Sequence, residues 1–110
     1  MKHALAGALA LACALTASPV KAVAAPAPQA RVAYGDLRMD TARGQRLLVQ
    51  RVLAAARGYC RLHADVVTPA HRRNNPRYCV DSIRVQLVDA MPDTVRTAWT
   101  RGWARVERQS

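Results

Sequence analysis

The chain has 110 residues, a formal net charge of +10, and 51% hydrophobic residues without any phenylalanine. A chain of this length makes one small domain. A core made mostly of Ala, Val and Leu is thin, and domains of this size often need a covalent staple.

The first 24 residues have the pattern of a secretory signal peptide. Lys2 provides a positive region, residues 4–15 are apolar and uncharged, and Ala22-Val23-Ala24 forms an A-x-A cleavage pattern. The apolar run is shorter than the roughly 20 residues that a transmembrane helix needs. We expect cleavage after Ala24, with Ala22 as the alternative. The expected product is a periplasmic or secreted protein with no transmembrane segment.

Cleavage would also leave a strongly basic chain. Loss of Lys2 and Lys21 leaves 15 arginines against 7 acidic residues, a net charge of +8. Genomic composition bias explains such arginine usage without any function. The functional interpretation is a basic surface for anionic envelope components, such as lipid headgroups or acidic polysaccharide. Nucleic acid is not an expected partner, because an exported protein rarely meets it.

After a flexible lead-in at residues 25–30, the chain predicts a short strand and then a helix. Val32 and Tyr34 alternate with small residues, which is typical of a strand. Asp40 or Thr41 can cap a helix that runs from about Ala42 to Tyr59. Its predicted buried face consists of Leu48, Val49, Val52, Leu53 and Ala56.

A second helix is predicted after a loop at residues 61–75. Asn75-Pro76 is a strong start signal, with Asn as the cap and Pro in the first helical position. The helix is expected to run to about Ala90, before Pro92. Its apolar face consists of Cys79, Val80, Ile83, Leu87 and Met91.

Residues 92–110 predict a third, basic helical segment that Asp93 can cap. Val95, Trp99, Trp103 and Val106 fall on one face, and Gly102 costs the helix about 1 kcal/mol relative to Ala. Two interpretations stay open. The tryptophans complete the thin core, or the segment lies on an anionic surface as an interfacial helix. The second interpretation uses Arg96, Trp99, Arg101, Trp103 and Arg105.

Cys60 and Cys79 are candidates for a structural disulfide, because two cysteines in a small exported domain most often pair. One alternative is a zinc site formed by Cys60, His63, His71 and Cys79. Only the first spacing, C-x2-H, fits a metal knuckle, and both thiols would have to stay reduced. A redox-active pair is disfavoured, because such pairs usually have C-x-x-C spacing.

Several short motifs of this chain resemble the UrcA family across about residues 32–90. The matching residues are Val32, Tyr34, Asp36, Leu37, Gly44, Leu47, Arg51, Val52, Ala55, Ala56, Arg57 and Cys60, with Cys79 as the second cysteine. The resemblance implies a small exported bacterial protein with paired cysteines, and it implies no biochemical activity. His63, His71 and the Trp-containing C-terminal segment depart from the family pattern.

Together these patterns predict a mostly α protein. A short N-terminal strand precedes a disulfide-clamped helical hairpin and a C-terminal helical segment. The predicted divisions are a signal peptide at 1–24, a lead-in at 25–30, an UrcA-like domain at 31–91 and the basic segment at 92–110. The expected role is a non-catalytic structural or interaction module without a cofactor. The alternatives are an anionic-surface binder and a zinc-binding module.

Overall fold

A computed structural model of the protein describes residues 29–110, and these contain three α-helices. Helix α1 spans Ala42–Val67, α2 spans Tyr78–Asp89, and α3 spans Asp93–Arg108. A short 3₁₀ turn, Ala70–Arg72, lies in the connection between α1 and α2. The predicted signal peptide, its cleavage site and most of the lead-in lie outside the described residues.

The helices α1 and α2 form a hairpin, and α3 packs back onto the first half of α1. The principal core lies between α1 and α3 and contains Leu48, Val49, Val52, Met91, Val95, Ala98 and Trp99. A second cluster between α1 and α2 contains Ala56, Cys79 and Ile83. The apolar periodicities of all three predicted helices therefore correspond to faces that the fold buries.

The predicted N-terminal strand is wrong. Residues 31–34 have no regular secondary structure, and no strand is assigned anywhere within residues 29–110. Their side chains instead pack on helices, with Val32, Tyr34 and Leu37 against the principal core. A turn closes at Leu37, whose N–H donates to the carbonyl of Tyr34 at 3.0 Å. An alternating pattern predicts one apolar side, and a helical surface covers that side as well as a sheet would.

Helix α1 begins as predicted but ends later. Thr41 is its N-cap, and its hydroxyl accepts a hydrogen bond from the Gly44 N–H at 3.0 Å. The helix continues past Tyr59 to Val67, so the predicted loop at residues 61–75 is wrong over its first part. His63 departs from helical geometry inside this extension, with φ −132° and ψ 18°. Val67 packs on the second core cluster and so holds the extension in place.

The predicted start of α2 at Asn75-Pro76 is also wrong, because α2 begins at Tyr78. The Asn75 side chain accepts from the Arg77 N–H at 3.0 Å, and the Asn75 carbonyl accepts from the Tyr78 N–H. Both bonds close a turn around Pro76. Asn-Pro serves turns and helix starts with the same chemistry, and here the turn comes first.

Two glycines allow close backbone packing around α1. A Cβ on Gly44 would lie 1.7 Å from the carbonyl oxygen of Arg38, so only glycine admits the N-terminal turn at this position. A Cβ on Gly102 would lie 2.8 Å from the carbonyl oxygen of Gln45, where α3 crosses α1. Gly102, which weakens α3 as an isolated helix, is therefore required for its packing.

Candidate anionic-partner interface

The residues that the sequence proposes for anionic-surface binding lie on α3, and its two tryptophans face inward. Trp99 is 5% exposed and belongs to the principal core. Trp103 is partly buried and stacks on Trp99, with ring centroids 5.3 Å apart. Arg84 of α2 lies over the Trp103 ring at 4.9 Å, and the Trp103 Nε1–H donates to Glu107 at 2.9 Å. This geometry corresponds to core completion, with both indoles already in contact with protein.

Two of the three proposed arginines on α3 also have partners within the protein. Arg96 forms an ion pair with Asp93 one turn earlier. Arg105 donates to the Gln45 side-chain oxygen at 2.6 Å, and the Gln45 amide nitrogen donates to the Met39 carbonyl at 3.0 Å. Arg101 is exposed and has no ion-pair partner among residues 29–110. Of the five proposed residues, the two tryptophans pack within the protein and two arginines have intramolecular partners. Only Arg101 has a guanidinium without such a partner within residues 29–110.

Gln45 is a structural position that sequence periodicity does not identify. It is 2% exposed, yet its amide is satisfied on both sides by Met39 and Arg105. Buried polar groups are tolerated when their hydrogen bonds are made. Gln45 thus joins the N-terminal segment, α1 and α3 at one point.

A surface ion pair joins the N-terminal segment to the middle of α1. Arg51 donates to the two carboxylate oxygens of Asp36 at 2.6 and 2.8 Å, and to the Ala33 carbonyl at 2.8 Å. Hydrogen bonding from Arg51 lowers the pKa of the Asp36 carboxyl from 3.8 to about 2. Asp36 and Arg51 are 15 residues apart in the chain, and the ion pair gives both of them a structural role. Neither residue needs a catalytic role to account for its position.

The disulfide between Cys60 and Cys79 is present, with 5.9 Å between the two Cα atoms. It joins the late part of α1 to the first turn of α2. Both sulfurs are thereby bonded and are not thiolate ligands. His63 packs beside the Tyr59 ring at 4.6 Å, and His71 is exposed in the 3₁₀ turn. Within residues 29–110, no group of three or more His, Cys, Asp or Glu side chains could hold a metal ion.

The end of the hairpin that this disulfide closes is strongly basic. We call residues 57–77 the hairpin end. It contains five exposed arginines and one acidic residue, Asp65; the arginines are Arg57, Arg61, Arg72, Arg73 and Arg77. None of the five forms an ion pair with an acidic side chain in residues 29–110. Leu62 and Val66 lie on the same end and are 78% and 74% exposed.

Comparisons with known proteins leave the chain without an assigned relative. No protein-family model matches it. No curated protein and no solved structure matches it either. The resemblance to the UrcA family therefore stays a prediction. Among the helices of the described region, none is long and apolar enough to cross a bilayer.

Proposed function

We propose that this protein is an exported, non-catalytic interaction module that binds an anionic component of the cell envelope through its basic surface. One observation carries the proposal. The 15 arginines all lie between Arg31 and Arg108, and four of them form ion pairs with an acidic side chain. Eleven arginines are therefore left without an ion-pair partner among residues 29–110. A surface with this excess attracts polyanions at long range.

The non-catalytic part of the proposal is supported by where the reactive side chains lie. The two cysteines are consumed by the disulfide, and Asp36 is held by Arg51. His63 packs on Tyr59. These four side chains thus have structural roles in this fold, and the basic surface remains as the distinctive feature.

Export is supported by two independent features. The first 24 residues have the three-part pattern of a cleavable signal peptide. The Cys60–Cys79 disulfide is of the kind that persists in oxidising compartments and is rare in the cytosol. We place the protein in the periplasm or outside the cell on this combination.

The test is equilibrium binding of the mature protein to two anionic probes, phosphatidylglycerol-containing vesicles and polygalacturonate. We expect binding to at least one probe at roughly 20 mM salt and its loss by about 0.5 M, because exposed charges are screened. Vesicles of pure phosphatidylcholine are the control and should not bind. Absence of binding to both anionic probes at low salt would refute the proposal.

A further inference from the structure

We propose that the hairpin end is a membrane-docking face, which places Leu62 and Val66 among the headgroups of an anionic lipid bilayer. This inference rests on the proposed function and deepens it, because it names both the surface and the partner. The occupant is the lipid surface itself. Apolar exposure, unpaired charge and covalent bracing at one end of the fold support it.

The apolar part consists of two side chains one helical turn apart. Leu62 and Val66 are 78% and 74% exposed, and they lie in the last turns of α1, beyond its last buried residue, Ala56. Single exposed apolar residues are common on protein surfaces. Here two large aliphatic side chains, spaced four residues apart, are both exposed in a domain with few large apolar residues to spare. Folding leaves the apolar surface of this pair in contact with water, and partial insertion into lipid would take that surface out of water.

The charged part consists of the five arginines that flank these two side chains in the chain. The Arg61 guanidinium lies beside Gly58, 3.5 Å from where a Cβ of Gly58 would be. Gly58 itself is one helical turn before Leu62. Arg72, Arg73 and Arg77 lie in the connection that follows, and Arg57 lies one turn before Arg61. With Asp65 as the single acidic residue, the hairpin end carries a net charge of +4 from five arginines. Basic residues near an anionic leaflet each strengthen binding severalfold.

The disulfide brings the two parts together. Cys60 lies just before Leu62 on α1, and Cys79 lies just after Arg77 at the start of α2. The bond closes residues 61–78 into a loop, so Leu62, Val66 and the arginines of the connection share one end of the hairpin. A braced surface loses less conformational entropy on docking than a free loop does.

The same features distinguish a bilayer from an acidic polysaccharide. Both present anionic groups to the arginines. Only the bilayer also offers an apolar region just below those groups, where aliphatic side chains are favourable. The predicted difference is that substitution of Leu62 and Val66 affects lipid binding and leaves polysaccharide binding unchanged.

The first experiment measures binding of the mature, oxidised protein to vesicles made of equal parts phosphatidylglycerol and phosphatidylcholine. We expect Leu62→Ser combined with Val66→Ser to weaken binding roughly tenfold, since the apolar area available for insertion is lost. The matched control is Val85→Ser on α2, a 47% exposed valine about 9 Å along that helix from Cys79. It should change binding by less than about twofold. All sites are exposed, and circular dichroism with thermal unfolding verifies the fold.

The second experiment compares two charge-matched pairs. Arg72→Gln with Arg73→Gln removes two charges from the hairpin end, and Arg43→Gln with Arg46→Gln removes two from the first turns of α1. Both pairs are exposed and lack ion pairs within residues 29–110. We expect the first pair to weaken vesicle binding about fivefold per charge and the second pair to have a much smaller effect.

The outcomes separate this inference from the proposed function. Wild-type binding that survives the Leu62/Val66 change, or equal losses from the two arginine pairs, would overturn the docking face and leave a diffuse basic surface. Equal loss of polygalacturonate binding in the Leu62/Val66 variant would overturn the lipid assignment. Failure of the wild type to bind either anionic probe would overturn both proposals.

Discussion

The guanidinium of Arg51 holds the carboxylate of Asp36 through two parallel hydrogen bonds of 2.6 and 2.8 Å. A third bond from the same guanidinium, to the Ala33 carbonyl, fixes the backbone before the turn. Arginine suits this role because its planar fork matches a carboxylate, which a lysine ammonium does not. The N-terminal segment therefore depends on one side chain of α1 for its position.

This pair predicts a specific pH dependence of stability. The pKa of Asp36 is lowered from 3.8 to about 2 by the bonds from Arg51, so the pair stabilises the folded state fully above pH 3.8. That stabilisation is lost as pH falls toward 2. We expect Asp36→Asn to lower the unfolding temperature at pH 7, and the gap to the wild type to close between pH 4 and 2. Thermal unfolding across that range measures it. A gap that persists at pH 2 would contradict the role of the charge.

Alanine substitution is expected to destabilise the protein at two helical glycines, Gly102 and Gly44, and to stabilise it at a third, Gly58. Gly102→Ala removes a propensity cost of about 1 kcal/mol but places a methyl group 2.8 Å from the Gln45 carbonyl. We expect the clash to win and to cost about 1–3 kcal/mol in denaturant unfolding. Gly44→Ala, which would place its Cβ 1.7 Å from the Arg38 carbonyl, should cost more.

The matched control for these variants is Gly58→Ala. Gly58 also lies inside a helix, but its nearest neighbour is the flexible Arg61 side chain at 3.5 Å. Here the propensity effect should prevail and stabilise the protein by roughly 0.5–1 kcal/mol. Stabilisation by Gly102→Ala as well would show that α3 does not cross α1 at this point.

The buried faces of the helices were predictable because their periodicity directly reports which side meets the core. Three pairs of residues four positions apart are buried, one pair in each helix: Leu48 and Val52, Cys79 and Ile83, and Val95 and Trp99. The disulfide was predictable from the expected export of the chain and from the positions of its two cysteines. In both cases a single physical cause produces the pattern, so the sequence alone is sufficient to predict the structural feature.

The element ends and the crossing points were not predictable for a related reason. The Asn75-Pro76 pair supports a turn or a helix start equally well, and in the fold the Asn75 side chain and carbonyl close a turn with the N–H groups of Arg77 and Tyr78. Likewise, Gly102 has a low helix propensity and Gln45 is a polar residue in a buried position. The packing of α1 against α3 compensates both costs. Contacts between elements decide these positions, and no local pattern records them.

The position of the two tryptophans predicts different costs for removing each one. Trp99 is 5% exposed in the principal core, so Trp99→Ala should destabilise the protein by about 3–5 kcal/mol. Trp103 is partly buried between Trp99 and Arg84, and its removal should cost about 1–2 kcal/mol. Urea unfolding of the two variants measures both.

The Trp103 variant also tests the interfacial-helix interpretation of α3. Truncation after Met91 would remove core residues with α3 and is therefore uninformative. Trp103→Ala keeps the core residue Trp99, and we expect its binding to phosphatidylglycerol vesicles to match that of the wild type. Vesicles with brominated lipid chains should likewise leave the wild-type tryptophan emission unquenched. Quenching, or weaker binding of the variant, would assign the interface to α3.

The Cys60–Cys79 bond predicts both a mass and a stability. Protein recovered from the periplasm should begin at Ala25, carry the mass of the oxidised chain and resist thiol alkylation until it is unfolded and reduced. Replacing both cysteines with alanine should cost about 3 kcal/mol, because the bond closes a segment of 19 residues in the unfolded chain. Urea unfolding of the double variant, compared with the oxidised wild type, measures this cost. The reduced wild type is the control, and it should agree with the double variant within about 1 kcal/mol, since the substitution leaves the packing of Cys79 against Ala56 and Ile83 largely intact. Rapid alkylation of the native protein, or a mass that includes zinc, would instead favour the metal-binding interpretation of this end.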